Sequence, residues 1–484
     1  MTNVQTYLNY IDGEWCASLS GATFDNINPA DTRDVVGRFQ ASSAADATAA
    51  VKAAAGAFAQ WKKLSPSARS KILLNAATYL EQHAERFAEE LTREEGKQKN
   101  LAKDEFLRSA QTIRYYAIEA QSFGGETFPN DDPDMAVYTL REPLGVVTVI
   151  SPWNFPVSIP ARKIAPALVC GNTVVFKPSS DAPLSGLRLT EAFVEAGIPK
   201  GVLNFVTGKS SEVGPVIVAA PDIRAISFTG STSAGEQIHR AAAMSTRTQM
   251  ELGGKNPLIV LDDADVDRAV DLTVKGGFSL TGQACTGTSR VLVTPQVKHA
   301  FIAQLVEKAR ALKIGNGMTP GTEIGPLATE GQLRTVLDYI EIGKREATLV
   351  TGGNRITSGD FGHGFFVEPT VFADVARTAR IAREEIFGPV IAIIEVADYA
   401  DAISVANDTE YGLSAALVTR DPKLMHRFAE DIAAGTVKIN RTTTGNLINA
   451  PFGGLKNSST ATFRESGREG LAFYLQTKTV YRGV

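Results

Sequence analysis

Short runs of β-branched and aromatic residues alternate with helix-like segments along most of the chain from Pro143 onward. The first runs are Val146–Ile150, Thr173–Phe176, Val202–Val206, Ala225–Phe228, Pro257–Leu261 and Arg290–Val293. Later runs are Thr348–Val350, Val390–Val396, Ala415–Thr419 and Thr436–Ile439. This alternation is typical of parallel sheets whose strands are joined by crossover helices. It predicts an α/β protein, long enough for a second α/β domain after about residue 252.

The two ends of the chain follow different patterns. Apolar residues recur at helical spacing from about Ala44 to Phe58 and from Ala68 to Glu94, so the first hundred residues are predicted to be mainly helical, with helices at the start. The terminal segment Phe473–Tyr481 alternates β-forming and polar residues, and no helix follows it. A strand in that place needs a partner, which another subunit could supply.

Length and charge exclude several classes of protein. A chain of 484 residues is too long for one compact core, so two or three domains are expected. The 49 basic and 53 acidic residues give a formal net charge of −4, which argues against nucleic acid or an anionic membrane as a partner. No apolar run is long enough for a transmembrane helix, and Met1 to Trp15 do not resemble a signal peptide, so a cytoplasmic protein is expected.

Common catalytic and metal-binding motifs are missing from the sequence. The five histidines never fall at metal-ligand spacing and there is no HExxH, CxxC or GxSxG, so no metal site is expected. Gly208-Lys209-Ser210 resembles the end of a phosphate-binding loop, but Leu203 stands where that loop needs glycine. The GxGxxG of a standard Rossmann domain is also absent.

The three cysteines, Cys16, Cys170 and Cys285, are too few and too far apart to form a disulfide framework. Cys170 lies within an apolar run, where a structural cysteine is usual. Cys285 lies instead in the glycine-flanked loop Gly282–Gly287, ahead of a predicted strand. From the loop position alone, a reactive thiol and a structural thiol are equally expected at Cys285.

Two other residues favour the reactive thiol. Glu251 precedes a double-glycine turn and supplies a candidate general base. Asn154 lies between Pro152 and Pro156, which stiffen the loop and could aim the amide at a developing oxyanion. A nucleophile, a base and an oxyanion donor therefore coexist in the chain.

From about Tyr10 to its end the chain resembles the aldehyde dehydrogenase superfamily. Six family motifs stand in order: Pro152-Trp-Asn-Phe-Pro156, Phe228-Thr-Gly-Ser-Thr232, Glu251-Leu-Gly-Gly254, Gly282-Gln-Ala-Cys285, Glu385-Ile-Phe-Gly-Pro389 and Pro451-Phe-Gly-Gly454. The resemblance implies a Rossmann-like cofactor domain (1–122 and 143–252), an α/β catalytic domain (253–470) and a small β oligomerisation element (123–142 and 471–484). It also implies a homodimer or homotetramer.

The resemblance implies roles for the three candidate catalytic residues. Cys285 matches the nucleophile, whose thiolate adds to an aldehyde to give a thiohemiacetal and then a thioester. Asn154 matches the oxyanion donor that acts with the backbone N–H of Cys285. Glu251 matches the base that hydrolyses the thioester, which favours a free acid over transfer to CoA. A non-catalytic binding protein of the same fold would be expected to lack these residues.

The resemblance also implies a nicotinamide cofactor. Gly230 and Ser231 match a pyrophosphate site at a helix N-terminus. The remaining matching positions are Trp153, Lys177, Glu385 and Phe387. Ser180 stands where NAD-preferring relatives often have a glutamate that repels a 2′-phosphate, so NADP is expected to be preferred, with NAD also accepted.

The substrate is predicted less directly. Arg162, four residues after Ser158, lies on the helix that lines the substrate tunnel in this family and matches the arginine of succinate semialdehyde dehydrogenases. The alternative for Arg162 is an ion pair with a neighbouring acid. Those relatives usually have a second arginine where this chain has Ser279. Arg441 could supply the second charge or be merely solvated.

Several stretches look closer to the NADP-accepting dehydrogenases of α-ketoglutarate semialdehyde (2,5-dioxopentanoate): Thr6-Tyr-Leu-Asn-Tyr-Ile11, Asn28-Pro-Ala-Asp31, Ala167-Leu-Val-Cys-Gly-Asn-Thr173 and Ala450-Pro-Phe-Gly-Gly-Leu-Lys-Asn-Ser-Ser459. The leading predicted substrate is therefore 2,5-dioxopentanoate. Succinate semialdehyde and an uncharged aromatic or heteroaromatic aldehyde are the alternatives. The segment Ser458–Glu465 is longer than in many relatives, and its effect on the tunnel is open.

Overall fold

The computed structural model describes residues 4–460 and 462–483. Its helices are α1 Ala44–Trp61, α2 Pro66–Glu95, α3 Lys99–Glu119, α4 Ser158–Val169, α5 Pro183–Glu195, α6 Ser210–Ala219, α7 Thr232–Ala241, α8 Val266–Phe278, α9 Pro295–Ala311, α10 Glu330–Glu346, α11 Arg380–Arg383, α12 Tyr399–Asn407, α13 Pro422–Asp431 and α14 Gly467–Ala472. Short 3-10 turns span Ala120–Ser122, Ser279–Gly282 and Gly359–His363.

The strands form three larger sheets and two short pairs. They are β1 Asn9–Ile11, β2 Glu14–Cys16, β3 Thr23–Asn28, β4 Asp31–Gln40, β5 Thr127–Phe128, β6 Met135–Pro143, β7 Val146–Ile150, β8 Thr173–Lys177, β9 Leu203–Phe205, β10 Ile223–Thr229, β11 Arg247–Glu251, β12 Asn256–Val260, β13 Thr288–Val293, β14 Thr348–Thr351, β15 Thr370–Ala373, β16 Val390–Glu395, β17 Tyr411–Gly412, β18 Ser414–Val418, β19 Thr436–Ile439, β20 Leu455–Lys456 and β21 Leu475–Gly483.

The first sheet has the strand order β11-β10-β7-β8-β9-β1-β2. Strands β11 to β9 are parallel, and β1 and β2 extend the sheet antiparallel at one edge. Because β7 lies between β8 and β10, the chain changes direction across the sheet there, and a crevice is expected at the carboxyl ends of these strands. Asn154, Lys177, Gly230 and Glu251 all lie at or just beyond those ends.

The second sheet has the order β14-β15-β16-β13-β12-β18-β19 and is parallel except for β14. Its contribution to the site comes from the amino ends of its strands. Cys285 lies shortly before β13, and Glu385 and Phe387 lie shortly before β16. Since β12, β13 and β16 are parallel neighbours, these residues approach one edge of the sheet together.

The third sheet is antiparallel, in the order β21-β6-β5. The terminal strand predicted from the sequence finds its partner within the same chain, because β21 pairs with β6 along its whole length, from Leu475 opposite Pro143 to Gly483 opposite Met135. The other side of β21 is the edge of the sheet. The three sheets draw on different parts of the chain, while the domain limits given above stay predictions.

The amino-terminal region differs in part from the prediction. Helices α1 and α2 confirm the predicted helical segments. The chain, however, begins with strands β1 to β4 and not with helices. Strand β1 is three residues long and is held at the sheet edge by the pairing of Tyr10 with Phe205 of β9, a contact that local periodicity does not reveal. Within the described residues, no helix has the length and apolar character needed to cross a bilayer.

Candidate active site

Two cavities meet at Cys285. The larger has a volume of about 340 Å³ and the smaller about 270 Å³. Thr229, Leu252 and Cys285 line both of them. Glu251 and Arg162 line only the larger cavity, whereas Asn154 lines only the smaller one. The sulfur is therefore placed where two different molecules can approach it from two sides.

The loop that carries Cys285 is fixed by its backbone. Asn256 at the start of β12 donates its side-chain Nδ2 to the carbonyls of Cys285 at 2.8 Å and of Gly287 at 2.9 Å. A Cβ on Gly254 would lie 2.7 Å from the Cys285 carbonyl oxygen, so glycine is required there. Burial, together with the carboxyls of Glu385 and Glu251, raises the pKa of the Cys285 thiol to about 12. The thiol is therefore protonated at neutral pH, and a base must remove its proton.

Glu251 ends strand β11 with a buried side chain, and neither carboxyl oxygen has a hydrogen-bond partner among the described residues. A Cβ on Gly453 would lie 2.8 Å from its Oε1, so this glycine leaves room for the carboxyl. Burial and the nearby Glu465 raise the pKa of Glu251 well above its usual value, against the opposing charges of Lys163, Arg464 and Arg162. An unpartnered carboxyl with a raised pKa is suited to accept a proton.

The segment that begins at Ser458, which is longer than in many relatives, lies directly beside Glu251. The Ser458 hydroxyl donates to the Gly253 carbonyl at 2.6 Å and accepts from the Gly412 N–H at 3.0 Å. The Leu252 N–H donates to the Ser458 carbonyl at 2.9 Å, and Ser459 forms an antiparallel bridge with Glu251. The lengthened segment therefore holds the backbone that carries Glu251, a contact that sequence analysis did not foresee.

The Asn154 amide is buried and connects the loop after β7 to the cysteine loop. Its Nδ2 donates to the carbonyl of Gln283 at 2.9 Å. An amide nitrogen carries two hydrogens, so one N–H of Asn154 is left for another acceptor. This geometry is compatible with an oxyanion donor near Cys285.

A buried ion pair, absent from the sequence-based candidates, supports Asn154. Lys97 lies 2.6 Å from Glu105 and donates to the backbone carbonyl of Asn154 at 2.7 Å. The Glu105 carboxylate also accepts from the N–H groups of Val157 and Ser158, at 2.9 and 3.0 Å, where α4 begins. Charged residues usually face solvent, so only the fold reveals that Lys97 and Glu105 are buried.

Arg162 on α4 lines the larger cavity, and so does Ser158. The same guanidinium lies 3.4 Å from Glu465, whose other oxygen lies 2.8 Å from Lys163. Arg162 therefore faces the cavity and also pairs with an acid, while its binding of a substrate carboxylate stays a prediction. Glu465 itself is buried and was not among the predicted residues.

Arg441, the other arginine considered for the substrate site, lies outside the larger cavity. Its side chain is exposed. The residues that follow it, Thr444, Gly445 and Asn446, line that cavity instead.

The smaller cavity contains most of the residues predicted for a cofactor: Trp153, Gly230, Ser231, Glu385 and Phe387. The Glu385 carboxyl accepts from the Gly254 N–H at 3.0 Å, and burial raises the pKa of Glu385 to about 7. Phe387 adopts a left-handed φ of 57° and packs edge-on against Trp153, with ring centroids 5.5 Å apart. Backbone strain at a bulky residue is typical of a functional site.

Lys177 ends β8 and Ser180 follows it, at the same edge of the first sheet, but neither residue lines the cavity. Lys177 is buried and donates to the Pro178 carbonyl at 3.2 Å, and burial lowers its pKa to about 8. The Ser180 hydroxyl donates to the Gly208 carbonyl at 2.9 Å. In the part of the chain that is described, no cluster of His, Cys, Asp or Glu could hold a metal ion.

Comparison with known proteins agrees with this architecture. Residues 15–480 match the aldehyde dehydrogenase family. An α-ketoglutarate semialdehyde dehydrogenase of Haloferax volcanii is 45% identical over 98% of both chains. A 2,5-dioxopentanoate dehydrogenase of Saccharolobus solfataricus is 43% identical over 96% of this chain and 97% of its own length.

A solved structure also has a closely similar fold. Betaine aldehyde dehydrogenase from Staphylococcus aureus, in complex with NAD+, superposes with a TM-score of 0.95 at 36% identity, covering 98% of this chain and 94% of that chain. The predicted family and fold are thus confirmed. The chain belongs to the aldehyde dehydrogenase family.

Proposed function

We propose that this aldehyde dehydrogenase oxidises 2,5-dioxopentanoate to the free dicarboxylic acid with a nicotinamide cofactor, NADP in preference to NAD. The observation that carries the proposal is the position of Cys285, which joins a cavity lined by Glu251 and Arg162 to a second cavity lined by Glu385 and Phe387. The activities for which the two relatives from Haloferax volcanii and Saccharolobus solfataricus are named support this substrate. The expected cytoplasmic location stays a prediction.

In this proposal Cys285 is the nucleophile. The Cys285 thiol first transfers its proton to a water molecule, the sulfur then attacks the aldehyde carbon, and the carbonyl oxygen becomes the alkoxide of a thiohemiacetal. Asn154 stabilises that alkoxide with its free N–H, and the backbone N–H of Cys285 is the second donor. Loss of hydride from the thiohemiacetal leaves a thioester on Cys285.

The smaller cavity fits the cofactor that accepts the hydride. A bound nicotinamide supplies the hydride acceptor at this position. The Thr229 hydroxyl, which lines the cavity, is buried without a hydrogen-bond partner among the described residues. Gly230 and Ser231 precede the N-terminus of α7, where free N–H groups suit a pyrophosphate. A Cβ on Gly253 would lie 2.4 Å from Glu385 Oε2, so glycine keeps space for this carboxyl.

Glu251 is the proposed base for the last step. It removes a proton from water, the water oxygen adds to the thioester carbon, and the Cys285 sulfur leaves with release of the acid. The presence of Glu251 beside the cysteine favours hydrolysis over transfer to CoA. Because Cys285, Glu251 and Asn154 all border one pair of cavities, a non-catalytic role for this fold is disfavoured.

The preference for NADP rests on the end of β8. Ser180 brings no negative charge there, and its hydroxyl is bonded to Gly208, next to the exposed Lys209 that precedes α6. Ser180→Glu is expected to shift the NADP-to-NAD ratio of kcat/KM toward NAD by about tenfold or more, because a carboxylate repels a 2′-phosphate and binds a 2′-hydroxyl. Steady-state kinetics with both cofactors measures the ratio.

The control for this experiment is Ser180→Gln, which adds similar bulk without charge. The charge explanation requires the glutamine variant to keep most of the NADP preference. A glutamate variant with the same ratio as the unmodified protein would remove Ser180 as a determinant of cofactor choice.

The substrate is tested with three aldehydes and Arg162→Leu. The unmodified enzyme is expected to show a higher kcat/KM for 2,5-dioxopentanoate than for succinate semialdehyde or benzaldehyde. Loss of Arg162 is expected to lower kcat/KM for the two acids by about 10- to 100-fold, as for a charged hydrogen bond, with little effect on benzaldehyde. Arg33→Leu, which removes an exposed arginine paired with Asp31, controls for net charge.

The alternatives have distinct outcomes in the same assay. A preference for succinate semialdehyde would name that acid as the substrate and keep the carboxylate site. Higher turnover of benzaldehyde, unaffected by Arg162→Leu, would replace the proposal with oxidation of an uncharged aromatic aldehyde.

A homodimer or homotetramer is also proposed. The third sheet supports it, because strand β21 lies at the sheet edge and leaves Tyr481 68% exposed. Leu140 on β6 and Phe128 on β5 are also exposed apolar side chains of this sheet. Exposed apolar residues on an open edge strand are typical of a surface that pairs with another subunit.

A further inference from the structure

The larger cavity contains a second arginine that the proposed function leaves without a role. Arg108 on α3 lines the cavity together with Arg162. Its guanidinium donates to the backbone carbonyl of Asn446 and lies 3.3 Å from the Asn446 side-chain oxygen. Both contacts are made by one nitrogen, Nη2, and a guanidinium has five N–H donors. Arg108 therefore keeps donors for an acceptor in the cavity.

Arg108 differs from Arg162 in its surroundings. Arg162 pairs with Glu465, whereas no carboxylate of the described residues forms an ion pair with Arg108. Burial and the charge of Arg162 lower the pKa of Arg108, so the two guanidinium groups repel each other across the cavity. A carboxylate bound between them would relieve that repulsion.

The acidic side chains that line the cavity do not pair with Arg108. Glu105 is buried and paired with Lys97. Asp104 lines the cavity one helical turn before Arg108, yet it forms no ion pair with either arginine. The exposed Lys275 lines the cavity as well and adds a further positive charge. None of the four acids that line the cavity, Asp104, Glu105, Glu251 and Glu465, forms an ion pair with Arg108.

Ser279 lines the same cavity. At this position the resembling succinate semialdehyde dehydrogenases usually have their second arginine, and serine is too short to reach a substrate carboxylate as arginine does. The cavity nonetheless holds two arginines, because α3 supplies Arg108 from a different part of the chain.

We propose that Arg108 is the second arginine of the carboxylate site, and that with Arg162 it binds the carboxylate of the aldehyde substrate. The inference rests on the proposed function and extends it to a specificity-determining residue. Asn446 holds the guanidinium in place, and the free N–H groups of Arg108 donate to the substrate. The ligand class is an aldehyde with a carboxylate at its other end.

The test compares 2,5-dioxopentanoate with pentanal, an uncharged aldehyde of the same chain length. Arg108→Met is expected to lower kcat/KM for 2,5-dioxopentanoate by about 10- to 100-fold, mainly through KM, and to leave pentanal nearly unchanged. Arg108→Lys keeps the charge without the planar fork and is expected to recover part of the loss. Adding Arg162→Met to Arg108→Met is expected to give a loss that differs from the product of the two single losses, because both residues bind one carboxylate.

The matched control is Lys103→Met on the same helix, which removes a positive charge paired with Glu85 and outside the cavity lining. It is expected to leave both substrates unchanged. Melting temperatures of all variants establish that they are folded. A variant that loses equal activity on both aldehydes would show a structural role for Arg108 and overturn the inference.

Two failures are distinguishable in this experiment. If the unmodified enzyme does not prefer 2,5-dioxopentanoate over pentanal, the proposed function fails and the carboxylate site fails with it. If the unmodified enzyme shows the preference and Arg108→Met retains it in full, only the role of Arg108 is wrong.

Discussion

Replacing Cys285 with alanine is expected to lower aldehyde oxidation by about 10⁴-fold or more, because no other group at the junction of the two cavities can form the covalent intermediate. The smaller cavity keeps its other lining residues, so cofactor binding is expected to survive. Cofactor-dependent protein fluorescence and the rate of aldehyde-dependent cofactor reduction measure the two properties separately. A loss of turnover without a loss of binding is the expected signature of a nucleophile.

Cys16→Ala is the matched control, since Cys16 is a partly exposed thiol outside both cavities. It is expected to retain full activity. Alkylation adds a second readout: because the pKa of the Cys285 thiol is raised to about 12, its reaction with iodoacetamide is expected to quicken as pH rises from 7 to 10. Substantial activity in Cys285→Ala would exclude the covalent mechanism.

The regular α/β part of the fold was predictable because its signal is local. Buried parallel strands appear as short apolar runs, and the runs predicted at Val146–Ile150 and Thr436–Ile439 match β7 and β19 in full. Strands β1 to β4 were not predicted, because their signal in the sequence is not local. They are short or irregularly buried, and β1 is stabilised by a partner that lies far along the chain, at Phe205.

The site was predictable only where a motif marks it. Glu251 ends a strand before a double glycine, Cys285 lies in a glycine-flanked loop and Asn154 in a proline-flanked one, so their positions stand out in the sequence. Lys97, in the loop between α2 and α3, and Arg108 on α3 carry no such mark, because charged side chains usually face solvent. The burial of Lys97 and the cavity position of Arg108 depend on tertiary packing, including that of α3 against α4.

The contacts of the lengthened segment after Ser458 could not be predicted from the sequence either. The sequence left its effect on the tunnel open, and the structure places Ser458 and Ser459 against the backbone of Gly253 and Glu251. The segment therefore contributes to the position of the proposed base. Its role depends on hydrogen bonds from the Ser458 hydroxyl and the backbone to residues far away in the sequence, which local sequence patterns do not reveal.

Glu251→Gln is expected to separate the two halves of the proposed reaction. If Glu251 acts mainly in hydrolysis, the variant still forms the thioester once and then stalls, because glutamine cannot remove a proton from water. Rapid mixing is expected to show a burst of about one reduced cofactor per active site, followed by a steady rate lowered by about 10²- to 10⁴-fold. Intact-protein mass spectrometry after the burst is expected to show the acyl group on the enzyme.

The pH dependence of steady-state turnover tests whether Glu251 is the base. The working form of a base is deprotonated, and the pKa of Glu251 is raised well above its usual value, so steady-state turnover limited by hydrolysis is expected to fall as pH decreases through that raised pKa. In Glu251→Gln this dependence is expected to disappear from the slow steady rate. Glu395→Gln, which changes a half-exposed carboxyl paired with Lys298, is the control and is expected to keep both the rate and the pH profile.

The outcome that contradicts this assignment is also specific. Absence of the burst in Glu251→Gln, with no acyl-enzyme detected, would mean that Glu251 is needed before the thioester forms, to deprotonate the Cys285 thiol. A steady rate restored by added CoA would instead indicate transfer of the acyl group to a thiol acceptor. Only a burst followed by slow, CoA-independent release of the acid assigns Glu251 to the hydrolysis of the thioester.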